Sequence, residues 1–151
     1  MLNAVKHDDC FRLPFLYKMS DQSAENQALT TAAEQVRQQL RLPGYSGEAV
    51  VHLSRTIDAQ RATLAPAECT DFITALGCYF GECLVRAYEG EWAAGPDGTT
   101  GVGIAGQLFF NPFFLAKEQL DKGDTASVAA FFASVPWRLA DRQAARKDKI
   151  S

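Results

Sequence analysis

Residues 66–136 carry so many start and stop signals that few folds are open to the chain. Phe72, Ile73, Leu76, Phe80, Cys83, Leu84 and Ala87 recur at helical spacing, within about 120° of one another on a wheel of 100° per residue. They predict a helix over 67–88, with Pro66 well placed at its first position and Gly90 closing it. The next stretch, EWAAGPDGTTGVGIAGQLFF, predicts a hairpin. Its turn is Gly95-Pro96-Asp97-Gly98, because Pro fixes φ while Asp and Gly accept the tight positions. Val102 and Ile104 alternate in its second strand, and Leu108 to Phe110 offer a third. Asn111-Pro112 reads as an N-cap followed by Pro in the first turn of a helix that ends at Gly123. Asp124 or Thr125 caps a further helix with core residues Val128, Phe131, Phe132 and Val135, and Pro136 is expected to break it.

Two glycines, Gly77 and Gly81, lie on the margin of the apolar face of the 67–88 helix. Each costs about 1 kcal/mol relative to Ala inside a helix. Another element packed closely across the bare groove would offset that cost. The spacing is that of small-residue contacts in membranes, but this helix carries too many charges to span one. Gly101, Gly103 and Ala105 form a second bare face, on the middle strand, which predicts the close approach of a helix backbone. Gly101 to Gly106 also spells GxGxxG. A dinucleotide fingerprint needs a strand before it and a helix opening on it. Here a turn precedes it and Pro112 would interrupt the helix, so the reading is a tightly packed glycine strand.

Before this block, Ser20 is the expected N-cap of a helix over 21–41, ended by Leu42-Pro43-Gly44. Its apolar stripe (Ala28, Leu29, Ala32, Ala33, Val36, Leu40) is rich in Ala and therefore shallow. A second helix starts after Ser46 and buries Val50, Leu53, Ile57 and Leu64. Residues 1–19 read as irregular or as an edge strand, since Phe11, Leu13, Phe15 and Tyr17 alternate but Pro14 interrupts them. Residues 137–151 read as a polar tail, helical or frayed, with Trp137 and Leu139 still able to pack. The fold class is α+β: one mostly helical domain over 1–151, with a small antiparallel sheet of two to three strands packed by helices.

The 151-residue length suits one core, and 47% hydrophobic with 22% charged residues is ordinary globular composition. No apolar run reaches the roughly 18 residues of a membrane span. The first residues carry charges and a proline where a secretory signal needs an apolar core, so a cytoplasmic chain is expected. Cys10, Cys69, Cys78 and Cys83 are not spaced to bridge or share a zinc, and read as free, buried thiols. Between Ala62 and Ala116 acids outnumber bases by five, whereas from Arg138 to Lys149 bases outnumber acids by three. The acidic middle disfavours nucleic acid and favours a basic protein surface.

Candidate functional residues are few. Glu82, Glu89, Glu91 and Asp97 are read as an acidic rim, with Trp92 inside it as a binding anchor or as a residue closing the core edge. Glu82 and Arg86 form an i,i+4 pair in the favourable order. His7, Asp8, Asp9 and Cys10 cluster near the start without a complementary ligand motif, and His52 reads as a surface histidine on a helix. No catalytic residue, cofactor or metal site is assigned. Three classes stay open: an inhibitor of a basic partner, an interaction module or homodimer using the small-residue grooves, and a small-molecule binder or enzyme with a site under the hairpin.

Leu76-Gly77, Gly81-Glu82, Gly90-Glu91-Trp92, Asn111-Pro112-Phe113 and Gly123-Asp124 carry a resemblance. Over roughly residues 70–132 the chain resembles a loosely defined group of small bacterial domains of unknown function. That group has an LGxxxGE helix, a GGxW-type strand opening, an NPF-like turn and a Gly-Asp-Ser-like cap before an aromatic helix. Gly90-Glu91 stands here where the doubled glycine is usual. The resemblance implies an accessory or immunity protein that binds and neutralises a toxin of interbacterial competition, without enzymatic activity of its own.

Overall fold

A computed structural model describes residues 22–150. The chain forms α1 (Gln22–Leu40), α2 (Gly47–Gln60), a 3-10 turn (Pro66–Glu68), α3 (Cys69–Tyr88), β1 (Glu91–Ala94), β2 (Thr100–Ile104), β3 (Leu108–Phe110), α4 (Pro112–Lys122), a second 3-10 turn (Gly123–Ala126) and α5 (Val128–Ile150). The three strands make one antiparallel sheet in the order β1-β2-β3, with Trp92 opposite Val102 and Val102 opposite Phe110. The fold is therefore mostly helical α+β with a small antiparallel sheet. The expected edge strand at 11–17, the Ser20 cap and the His7–Cys10 cluster lie outside the described residues.

Helix α3 is the axis of the core. Leu76, Tyr79, Phe80, Cys83 and Leu84 are buried in it, and α1, α2, α4 and the sheet pack around them. Gly77 and Gly81 are slots for aromatic residues. A Cβ on Gly77 would fall 2.2 Å from the Phe113 ring and 2.9 Å from the Phe113 Cα. A Cβ on Gly81 would fall 2.1 Å from the Trp92 indole and 3.0 Å from Pro112. The first turn of α4 and the first strand thus sit against the α3 backbone, where no side chain stands between them. This turn is held by Asn111, whose Oδ1 accepts from the backbone N–H groups of Phe113 and Phe114 at 3.0 Å each.

Four sequence expectations need correction. The bare face of β2 is not covered by a helix: a Cβ on Gly101 would meet the Phe109 ring at 2.5 Å and the Phe110 carbonyl at 2.5 Å. The left-handed residue that ends α3 is Glu89 (φ 54, ψ 43), and Gly90 instead lets the chain pass close to Val102. The final helix is capped by Ser127, whose hydroxyl accepts from Ala130 N–H at 3.2 Å, not by Asp124 or Thr125, which lie in the 3-10 turn. Finally, Pro136 does not break α5, which runs through it to Ile150. Leu139 packs on the core, while Trp137 is 69% exposed.

The continuity of α5 has a local cause. A proline at 136 has no N–H to give the carbonyl of residue 132. The Tyr88 hydroxyl donates to that Phe132 carbonyl at 2.6 Å, and the Tyr88 ring lies 5.0 Å from the Phe132 ring. Tyr88→Phe should therefore cost about 1–2 kcal/mol of stability, the penalty of an orphaned acceptor. In a Pro136→Ala background, where the substituted residue supplies the N–H, the same change should cost under about 0.5 kcal/mol. A double-mutant cycle read by denaturant unfolding checks this.

A second bridge joins α2, α4 and the start of α5. Gln119 is fully buried; its Nε2 donates to the Ser54 carbonyl at 2.9 Å and to Asp58 Oδ1 at 3.1 Å. Its Oε1 accepts from Val128 N–H at 2.9 Å. Every polar atom of the amide is thus used, as burial demands.

Candidate binding groove

The acidic rim expected around the hairpin is not one surface. Glu82 is only 5% exposed and Trp92 only 4%. The indole N–H donates to Glu82 Oε2 at 3.1 Å, the Thr30 hydroxyl donates to the same oxygen at 3.3 Å, and Arg86 Nε donates to Oε1 at 3.1 Å. Glu82 thus ties α3 to α1 and to β1 from inside, and neither it nor Trp92 is available to a partner. The helical spacing of Glu82 and Arg86 gave the ion pair correctly, but the burial comes from Thr30 and Trp92, which reach it from other elements. Glu89, Glu91 and Asp97 are exposed. Glu91 opens β1 and Asp97 lies in the turn beyond its other end, so the strand separates them by at least about 10 Å. Asp97 accepts from the Thr99 hydroxyl at 2.7 Å and its backbone N–H at 3.1 Å, which holds its pKa below the ordinary value. It serves the turn first.

Beside Glu82 runs a chain of aromatic and charged groups. The Arg86 guanidinium lies 3.8 Å over the Tyr45 ring. The Tyr45 hydroxyl donates to Glu34 Oε1 at 2.6 Å, and Arg37 grips both oxygens of Glu34 at 2.9 and 2.7 Å. The Tyr79 hydroxyl donates to the Gly44 carbonyl, fixing the loop between α1 and α2. The hydrogen bonds from Arg37 and then Tyr45 hold the Glu34 carboxyl down at about 2, while burial and Glu34 push the Tyr45 hydroxyl up to about 12. Glu34 has a folded pKa below its ordinary 4.5, so the unfolded chain binds more protons between those values. Its contribution to stability is complete above about 4.5 and is lost as pH falls to about 2. Glu34→Gln should flatten the acid limb of a stability-against-pH curve in that window and leave the neutral region close to unchanged in shape.

The surface feature that sequence reasoning missed is a groove of about 660 Å³ between α1 and the first half of α3, lined also by Leu64, Ala67 and Thr100. Its floor is apolar: Leu29, Ala32 and Val36 from α1 face Phe72, Ala75 and Cys78 from α3. Its acids are Glu25, Glu68 and Asp71, and no Lys, Arg or His lines it among the described residues. The Ala-rich stripe of α1 explains the space. Ala28 and Ala32 are too short to fill the gap to α3, so two packed helices leave a channel. Glu25 accepts from the Thr100 hydroxyl at 3.3 Å and Glu68 accepts from the Ala65 N–H at 3.2 Å, which sets both carboxylates in place. Asp71 lies in the first turn of α3, where the helix dipole favours its charge. The shallow stripe was the one sequence signal for this groove.

Cys78 and Cys83 are buried thiols, whereas Cys69, also expected to be buried, is only partly so. Burial pushes both Cys78 and Cys83 up to about 12, and both are free. His52 is exposed on α2. Gly101 and Gly103 are strand residues and Gly106 lies in the β2–β3 turn, so GxGxxG here is not a loop opening a helix. Among the described residues, no group of three His, Cys, Asp or Glu side chains is placed to hold a metal ion, and no helix is long and apolar enough to cross a membrane. No protein-family model, curated protein or solved structure matches the chain.

Proposed function

We propose that the protein works by binding, and that its groove between α1 and α3 receives an apolar segment with basic flanks from a protein partner. The observation that supports this is the pairing of an apolar floor with Glu25, Glu68 and Asp71 around it. Such a surface gains area from apolar side chains and gains on-rate and selectivity from cations. The resemblance stated above supplies the biological context: a cytoplasmic immunity protein that neutralises a bacterial toxin domain without turning over a substrate. Glu89, Glu91 and Asp97 would then steer a basic partner from a distance.

The test joins capture to rescue. The tagged full chain is recovered from its native cells, its stoichiometric partner is expressed alone and with this chain, and growth is followed. The proposal predicts that growth is inhibited by the partner and restored by the wild-type chain, but not by Ala28→Trp, which fills the groove from an exposed position. Rescue that survives Ala28→Trp and is lost on reversing Glu89, Glu91 and Asp97 would move the interface to the hairpin. The absence of any partner would refute the reading.

A further inference from the structure

We infer that the partner segment this groove receives is an amphipathic α-helix of about four turns, with apolar residues at three- and four-residue spacing and Lys or Arg beside that stripe. This rests on the reading of the groove as a receptor for apolar segments with basic flanks. On α1 the lining residues Glu25, Leu29, Ala32, Val36 and Gln39 recur every three or four positions along one face. On α3 Phe72, Ala75 and Cys78 do the same. The walls are therefore side chains of two helices. Away from the helix ends, the backbone N–H and C=O groups of such walls are already spent within their own helix.

An extended segment laid on that floor would leave its own peptide groups without backbone partners. The groove follows α1 from Glu25 to Gln39, about 21 Å, which takes about six extended residues with about a dozen N–H and C=O groups. The neutral polar side chains that line it are Gln35, Gln39, Thr74 and Thr100, and Thr100 already donates to Glu25. They are too few to pair that many groups. A helix keeps its hydrogen bonds inside itself and presents side chains alone, and about 14 residues of it cover the same length. The relief suits a third helix as well. Ala28, Ala32 and Ala75 are short enough to admit an axis at the separation of about 8–10 Å usual for packed helices. Charge places the flanks. Glu25 stands on the α1 wall, and Glu68 and Asp71 stand at the start of α3, with no cation among the described lining residues. Lys or Arg on both edges of the apolar stripe meets them.

The experiment titrates the full-length chain with two labelled synthetic peptides of about 14 residues and equal Leu and Lys content. In one, Leu recurs at helical spacing; in the other, Leu and Lys alternate. A helical occupant predicts that the first binds at least about tenfold more tightly, since it alone buries a Leu stripe with its peptide groups paired. Its helical circular dichroism should rise on binding, and a central Pro should remove its advantage. Ala28→Trp should weaken both peptides. Equal affinities, or tighter binding of the alternating peptide, would overturn the helical occupant while the groove remains a receptor. If neither peptide binds, or if Ala28→Trp changes nothing, both this inference and the groove reading fail.

Discussion

Gly81→Ala should be among the most damaging single changes in the protein, although Ala is the better helix former. The new methyl would stand 2.1 and 2.5 Å from two carbons of the Trp92 indole, far inside van der Waals contact. Trp92 cannot retreat cheaply, because its N–H is tied to Glu82 at 3.1 Å and its ring lies 6.2 Å from that of Phe113. Propensity returns about 1 kcal/mol. Overpacking with loss of the buried hydrogen bond costs about 3–4 kcal/mol. The expected net loss is about 2–3 kcal/mol. Gly77→Ala should behave alike, as its methyl would lie 2.9 Å from the backbone Cα of Phe113. Denaturant unfolding measures both. A variant as stable as the wild type would show that α3, β1 and α4 are not packed backbone to side chain as described.

Glu82 is the second position of large effect, and it separates an internal role from a surface one. Glu82→Ala removes the acceptor of the Trp92 indole and leaves a cavity between α1 and α3, while the Thr30 hydroxyl keeps the Asn26 carbonyl at 3.0 Å. The Arg86 side chain is 47% exposed and can turn to water, so the loss falls short of that for a fully buried ion pair. The expected cost is about 3 kcal/mol, mostly from the orphaned indole and the unfilled space. Glu82→Gln keeps an acceptor for Trp92 and should cost about 1 kcal/mol. By contrast, Glu91→Ala, at an exposed position on β1, should change stability by no more than about 0.5 kcal/mol. Chemical denaturation of the three variants in parallel checks the ordering. Equal, small effects at Glu82 and Glu91 would contradict the buried placement.

The elements were legible because each is written locally. Asn111-Pro112, Gly95-Pro96-Asp97-Gly98 and the stripe from Phe72 to Ala87 state their structure within a few residues, and the helices and strands fall there. The misreadings share a different origin. Pro136 looks like a stop until Tyr88, far earlier in the chain, supplies the hydrogen bond that it forfeits. Glu82 looks like a helix flank until Thr30 and Trp92 enclose it. The bare face of β2 invites a helix, but Phe109 from the neighbouring strand fills it. In each case the deciding partner arrives through tertiary packing, which periodicity does not encode. The groove belongs to the same class: the Ala residues of α1 announce a shallow face, while the gap to α3 depends on how the two helices pack in the whole fold.

The groove between α1 and α3 is proposed to recognise apolar segments with basic charges. It is tested by titrating the isotopically labelled full-length chain with a synthetic peptide of alternating Leu and Lys and following amide chemical shifts at two salt concentrations. Saturable shifts are expected at Ala28, Ala32, Phe72 and Ala75, weakening as salt screens Glu25, Glu68 and Asp71. Shifts confined to Glu89, Glu91 and Asp97, or none at all, would contradict it.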